Sequence, residues 1–220
     1  MHPADETRTR NRAIFDGAFG HAYSYWMERP WLGRALGMAL WGGDSKPFYD
    51  SMRAIAQLPD GSVVVDAPCG AGVAFAALLP RQRVRYLALD LSPIMLERAR
   101  QRARTTNLAQ IEFIEGDAER MPLANGSVDL FLSYWGLHCM PHPDAAVREI
   151  ARCLRRGGRL IGAMICRGPS LRQRLFMRAE MSAFGPAGTV DDLTRWIDSA
   201  GLTRRRLEVS GAFAFFDALA

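Results

Sequence analysis

The chain has 220 residues, 49% hydrophobic and 23% charged, the composition of an ordinary globular protein, so wholesale disorder is excluded. No stretch reaches the ~18 consecutive apolar residues of a membrane span. The longest candidate, Val63 to Leu79, is broken by Asp66, Pro68 and several glycines. The net charge of +5 raises the question of nucleic acid, but the arginines are dispersed (Arg98 to Arg104, Arg155 and Arg156, Arg204 to Arg206). A nucleic-acid face gathers its cations into one stripe with stacking aromatics, so no nucleic-acid partner is expected.

The opening segment, MHPADETRTRNR, lacks the apolar core of a signal peptide. The four cysteines (Cys69, Cys139, Cys153 and Cys166) contain no CxxC pair. Both features lead us to expect reduced thiols and a cytoplasmic location. Residues 1–60 are aromatic-rich and punctuated by glycine, with helical rather than strand spacing. From Gly61 onward, short β-branched runs alternate with amphipathic segments. VVVDA reads as a buried strand, GVAFAALLP as a helix and VRYLALD as a second strand. SPIMLERARQRARTT is a helix capped by Ser92 with Pro93 in its first turn. IEFIEGD and VDLFLSYW are strands, PDAAVREIARCLRRGG is a helix ending at glycine, and RLIGAMI is a fifth strand. The spacing then predicts helices near Leu171 to Phe184 and Val190 to Ala200, and strands at Arg204 to Val209 and Ala212 to Ala218. The expected fold is α/β: a doubly wound, mostly parallel seven-stranded sheet over residues 61–220, closed by an antiparallel edge hairpin and preceded by a helical amino-terminal segment.

Ligands of such folds sit beyond the carboxyl ends of the strands. The first strand ends in Asp66-Ala67-Pro68-Cys69-Gly70-Ala71-Gly72 and the second in Asp90, near the ~20-residue offset of a ribose-binding carboxylate. The third ends in Gly116-Asp117-Ala118, and the fourth in Ser133-Tyr134-Trp135-Gly136-Leu137-His138. A dinucleotide calls for Gly-x-Gly-x-x-Gly, but Phe75 stands where the third glycine belongs. Asp66 would repel a pyrophosphate and suits a ligand carrying an ammonium and a sulfonium group. Asp117 supplies an acceptor for an adenine amino group. This chemistry favours S-adenosylmethionine over a dinucleotide.

VVVDAPCGAG, YLALDLSPIMLERAR and FIEGDAERMPLANGSVDLFLSYWGLHCMPHPDAAVREIARCLRRGGRLI together resemble the class I S-adenosylmethionine-dependent methyltransferases, and within them the small-molecule branch that includes ubiquinone and menaquinone biosynthesis enzymes. The resemblance runs from about Gly61 to Ile165. It departs from the family at Pro68, where the acidic-x-Gly-x-Gly-x-Gly pattern has its first glycine. It implies that Asp66, Ala67 and Gly70 hold the methionine moiety, that Asp90 takes the ribose hydroxyls, and that Leu91 and Met95 pack the adenine. Asp117 and Ala118 would meet the adenine edge, and Ser133 would close the site near the sulfonium. Met95 and Leu91 also read as plain core residues.

Methyl transfer from a sulfonium needs alignment and dryness more than acid–base chemistry. If the acceptor must lose a proton, His138 is the first candidate base, because it follows the fourth strand. The alternative reading is a capping histidine on that loop. His21, beside Tyr23, Tyr25 and Trp26, is a second candidate, in a segment that the resemblance casts as a lid. Tyr23, Tyr25, Trp26, Tyr134 and Trp135 are the candidate substrate-binding residues, suited to a small, partly apolar acceptor. His138, Cys139 and His142 lack a fourth ligand and sit between prolines, so no metal is expected. The sequence after the fourth strand, Ser133-Tyr134-Trp135-Gly136, lacks the Asn/Asp-Pro-Pro-aromatic motif of exocyclic-amine methylation. A non-catalytic binding protein and an NAD-type oxidoreductase are the competing classes.

Overall fold

A computed structural model describes residues 3–167 and 188–220. Seven strands form one sheet: β1 (Val63–Asp66), β2 (Arg85–Asp90), β3 (Ile111–Glu115), β4 (Val128–Tyr134), β5 (Leu154–Ile165), β6 (Thr203–Ser210) and β7 (Phe213–Leu219). Their order is β3-β2-β1-β4-β5-β7-β6. β1 to β5 pair in parallel, while β7 runs antiparallel between β5 and β6. The strand order reverses beside β1, which is flanked by β2 and β4. Loops diverge there and leave a crevice at the strand ends.

The near-continuous apolar runs of the strands follow from burial on both faces. Val64, Tyr86, Ala88, Leu130 and Leu132 lie on one face with Leu96 and Ala99 of the helix α6 (Pro93–Thr105). Val65, Leu87, Leu89 and Phe131 lie on the other with Val147 and Ile150 of α7 (Pro143–Cys153) and with Leu193 and Ile197 of the helix Val190–Ser199. Because strand side chains alternate, Asp66 and Asp90 share the face of Val64, Tyr86 and Ala88, the α6 side. Ser92 caps α6 by accepting from Met95 N–H at 3.0 Å.

Two expected elements differ. The helix read at GVAFAALLP is a short 3-10 turn, Val73–Ala77. Gly72 enters it at φ +76°, and the Phe75 ring folds back over Gly72, so that a β-carbon there would lie 2.3 Å from the ring. Phe75 also stands edge-on to Tyr86 at 5.4 Å, which anchors the turn against the sheet. The helix expected to run to Gly158 ends at Cys153, because Leu154 already pairs with Val128 as the start of β5. The helix read near Leu171 to Phe184 lies outside the described residues.

The amino-terminal segment is helical as its spacing suggested: α1 (Pro3–Asp16), α2 (Ala18–Met27), α3 (Pro30–Leu36), a π-turn at Gly37–Trp41, α4 (Lys46–Ser51) and α5 (Arg53–Ala56). α1 and α2 lie across the strand ends. Gly20 lets them approach α6, since a β-carbon there would sit 1.8 Å from the Phe15 carbonyl oxygen and 2.8 Å from the Met95 methyl carbon. No helix among the described residues is long and apolar enough to cross a membrane.

Candidate functional site

A cavity of about 170 Å³ opens at the strand ends. Its floor is built from β1 and β2. Asp66 is buried at the end of β1 and accepts the Tyr86 hydroxyl at 2.9 Å. Burial pushes the Asp66 carboxyl up to about 7, against that hydrogen bond and with help from the charge on Asp90. Asp90 accepts the Gly70 N–H at 2.8 Å and the Ser92 N–H at 2.9 Å. Burial pushes it up to about 6, and the two backbone bonds hold it from rising further. Neither carboxylate has an ion-pair partner among the described residues, whereas less buried acids of this chain, such as Asp44 and Glu112, are paired with arginine.

The loop after β1 is anchored by the Cys69 N–H, which donates to Leu89 O at 2.9 Å. Pro68 occupies the position where the resembled motif has glycine, and the room its ring needs comes from the facing loop. A β-carbon on Gly136 would lie 2.2 Å from the Pro68 ring. Glycine at 136 thus accommodates the bulk introduced at 68.

α1 forms the roof. Arg8 reaches Asp117 at 2.9 Å and Glu119 at 2.5 Å. The Asn11 amide donates to the Cys139 carbonyl, and its own Oδ1 is buried without a hydrogen-bond partner among the described residues. Ser92 donates to Asp16, and Arg98 donates to the carbonyls of Phe15 and Asp16 at 3.2 and 3.3 Å. The end of α1 is therefore tied to α6 and its middle to the loops after β3 and β4.

Of the sequence candidates, Asp66, Gly70, Asp90, Leu91, Met95, Asp117 and Ala118 line this cavity, as do Tyr23, Tyr134 and Trp135. Ala67 and Ser133 do not. The Ala67 N–H donates to Leu132 O within the sheet, and Ser133 is fully buried in β4 opposite Gly162. His21 and Tyr25 are exposed on α2 and, with Trp26, line neither this cavity nor the next. Arg8, Asn11 and Phe15 line the cavity but were not foreseen from the sequence.

A second cavity of about 60 Å³ adjoins the first. Phe15, Tyr23, Met27, Trp135 and Cys139 belong to the walls of both. Of the two, His138 lines only the second, although its neighbours Gly136, Cys139 and Met140 line the first. His138 is buried, its Nδ1 accepts the Ile165 N–H at 3.4 Å, and burial pushes its pKa down to about 4. Among the described residues, no group of His, Cys, Asp and Glu stands close enough to hold a metal ion.

Residues 65–162 match the family described as a methyltransferase domain. The match runs from within β1 to within β5 and includes both buried aspartates and the Asp117 loop. An uncharacterized chloroplastic methyltransferase of Arabidopsis thaliana is 30% identical over 83% of this chain and 55% of its own length. A ubiquinone/menaquinone biosynthesis C-methyltransferase of Bartonella tribocorum is 38% identical over 44% of this chain and 39% of its own. The chain thus spans about half, or less, of the length of these relatives. The solved phosphoethanolamine N-methyltransferase 2 of Haemonchus contortus, in complex with S-adenosyl-L-methionine, superposes with a TM-score of 0.68 at 15% identity, over 78% of this chain and 52% of that one. That likeness is one of fold alone.

Proposed function

We propose that the larger cavity binds S-adenosylmethionine and that the chain transfers its methyl group to a small, partly apolar acceptor. The observation that carries this reading is the pair of buried carboxylates, Asp66 and Asp90, at the switch point of the sheet, neither with an ion-pair partner among the described residues. Ionised, each is an uncompensated charge out of water, and a cationic ligand relieves that cost. A pyrophosphate would aggravate it, which argues against an NAD-type oxidoreductase.

On this reading each part of the nucleoside has residues of the cavity wall to meet it. Asp66 and the backbone around Gly70 would hold the amino-acid end, Asp90 the ribose hydroxyls, Met95 and Leu91 the base, and Asp117 with Ala118 its polar edge. When bound, S-adenosylmethionine supplies a methyl group already activated by the sulfonium. α1 covers the cavity with Phe15 and Asn11 and excludes water. Trp135 and Tyr23, shared by both cavities, set the direction in which an acceptor approaches. This arrangement supports transfer driven mainly by proximity and desolvation. The amino-terminal 60 residues then act as a lid and acceptor wall over the sheet domain of residues 61–220.

The buried carboxylates make the reading testable by pH. Native Asp66 holds its proton up to about pH 7, whereas the unfolded chain loses it near the ordinary value of 3.8. Folding stability of the free protein therefore falls as pH rises through that window. Binding of a cation favours the ionised carboxylate, so affinity for S-adenosylmethionine should increase about tenfold or more between pH 5.5 and 8. Calorimetric titration at the two values measures this. Equal or weaker binding at pH 8 would count against the charge argument.

A further inference from the structure

The smaller cavity has a composition of its own. Among the described residues its wall is mostly aromatic and aliphatic, with Phe15, Phe19, Trp41, Phe213 and Ile165; the hydroxyl residues Tyr23 and Ser45 also line it, and no Asp, Glu, Lys or Arg does. A charged acceptor group would enter it with no counter-charge, at a desolvation cost that an apolar wall cannot offset. The wall nevertheless carries two nitrogen donors. The Trp135 Nε1–H is buried without a hydrogen-bond partner among the described residues. His138 uses Nδ1 to accept from the Ile165 N–H, which fixes the neutral ring as the Nε2–H tautomer. Nε2–H makes no hydrogen bond among the described residues, so His138, a residue of this wall, keeps a donor to offer.

Resting on the methyltransferase reading above, we propose that the smaller cavity is the acceptor subsite and takes a neutral, largely apolar molecule through a hydrogen-bond-accepting oxygen, carbonyl or phenol in type, held by His138 Nε2–H and Trp135 Nε1–H. His138 is then a positioning residue and not a general base. A base needs a free lone pair facing the acceptor, and the only lone pair of this tautomer is occupied by a backbone amide. Burial, which keeps the ring neutral well below physiological pH, agrees with that role. The subsite discriminates by what it lacks as much as by what it offers. An oxygen satisfies donors otherwise left unpaired, a hydrocarbon leaves them so, and an ammonium group brings a charge and more donors.

Three probes of one skeleton test this on the full chain saturated with S-adenosylhomocysteine: 1-tetralone, its hydrocarbon tetralin, and the protonated amine 1-aminotetralin. Quenching of tryptophan fluorescence reads binding. The ketone should bind about tenfold more tightly than the hydrocarbon, and the amine more weakly than either. In His138→Phe, which keeps ring bulk and removes the donor, the preference for ketone should fall to about twofold. His138→Gln, which restores an N–H near the Nε2 position, should recover part of it. Equal binding of ketone and hydrocarbon, a preference for the amine, or an unchanged preference in His138→Phe would overturn the proposal. Nitrogen-detected magnetic resonance of the unaltered protein gives a check that needs no variant: Nε2 should carry the proton and Nδ1 should not, from pH 5.5 to 8. A ring that titrates near 6.5, or one protonated at Nδ1, would also overturn it. Saturation with S-adenosylhomocysteine is measured separately, so loss of the cofactor reading and loss of the acceptor reading are distinguishable.

Discussion

Asp66→Asn should weaken S-adenosylmethionine binding and, at pH 8, make the free protein more stable. Asparagine keeps the shape and still accepts the Tyr86 hydroxyl, but it cannot ionise. Above about pH 7 the native protein holds Asp66 as a buried carboxylate with no ion-pair partner among the described residues. Removing that charge should raise stability by about 1–3 kcal/mol, in line with the upward displacement of its pKa. The ligand loses a hydrogen bond to a charged group, worth about 1.5–3 kcal/mol, or roughly tenfold to 150-fold in affinity. The two effects have opposite signs, which separates them from general damage to the fold. Thermal unfolding and calorimetric titration of the same preparation measure both. A variant with unchanged affinity would remove Asp66 from the cofactor site.

Deleting α1 should have a comparable effect on binding by a different route. Residues 3–16 contribute Arg8, Asn11, Arg12 and Phe15 to the cavity wall, yet none of them belongs to either apolar core beneath the sheet faces. The truncated chain should therefore still unfold cooperatively, with the sheet intact. Its cavity opens to water, and Asp117 and Glu119 lose Arg8. Loss of apolar closure and of the roof contacts should cost about 2–3 kcal/mol of S-adenosylhomocysteine affinity, roughly 30-fold to 150-fold. Turnover should fall further, because the same helix forms part of the wall of the acceptor cavity. Full affinity in the truncated protein would show α1 to be an appendage.

Much of the sheet was legible because its evidence is local. β-branched runs bounded by turn residues gave the strands, and Ser92-Pro93 marked the start of α6 before any fold was known. The strand-end aspartates were legible because the topology of such sheets sends β1 and β2 to one crevice. The roof was not. Arg8 and Asn11 read as ordinary polar residues of a surface helix, and their partners, Asp117, Glu119 and Cys139, lie more than a hundred residues away. Pairings at such separation leave no periodic trace. His138 follows β4, as read, but it lines the smaller cavity while its neighbours Gly136, Cys139 and Met140 line the larger, a distinction that no pattern of apolar residues announces. The 3-10 turn at Val73–Ala77 was hidden for a related reason: the Phe75 ring that tightens it is apolar in any helix reading as well.

Calorimetric titration of the unaltered full chain with S-adenosylhomocysteine, beside an identical titration with NAD, bears most directly on what the larger cavity holds. The account predicts saturable one-to-one binding of S-adenosylhomocysteine and no binding heat from NAD. One-to-one binding of NAD with none of S-adenosylhomocysteine would contradict it.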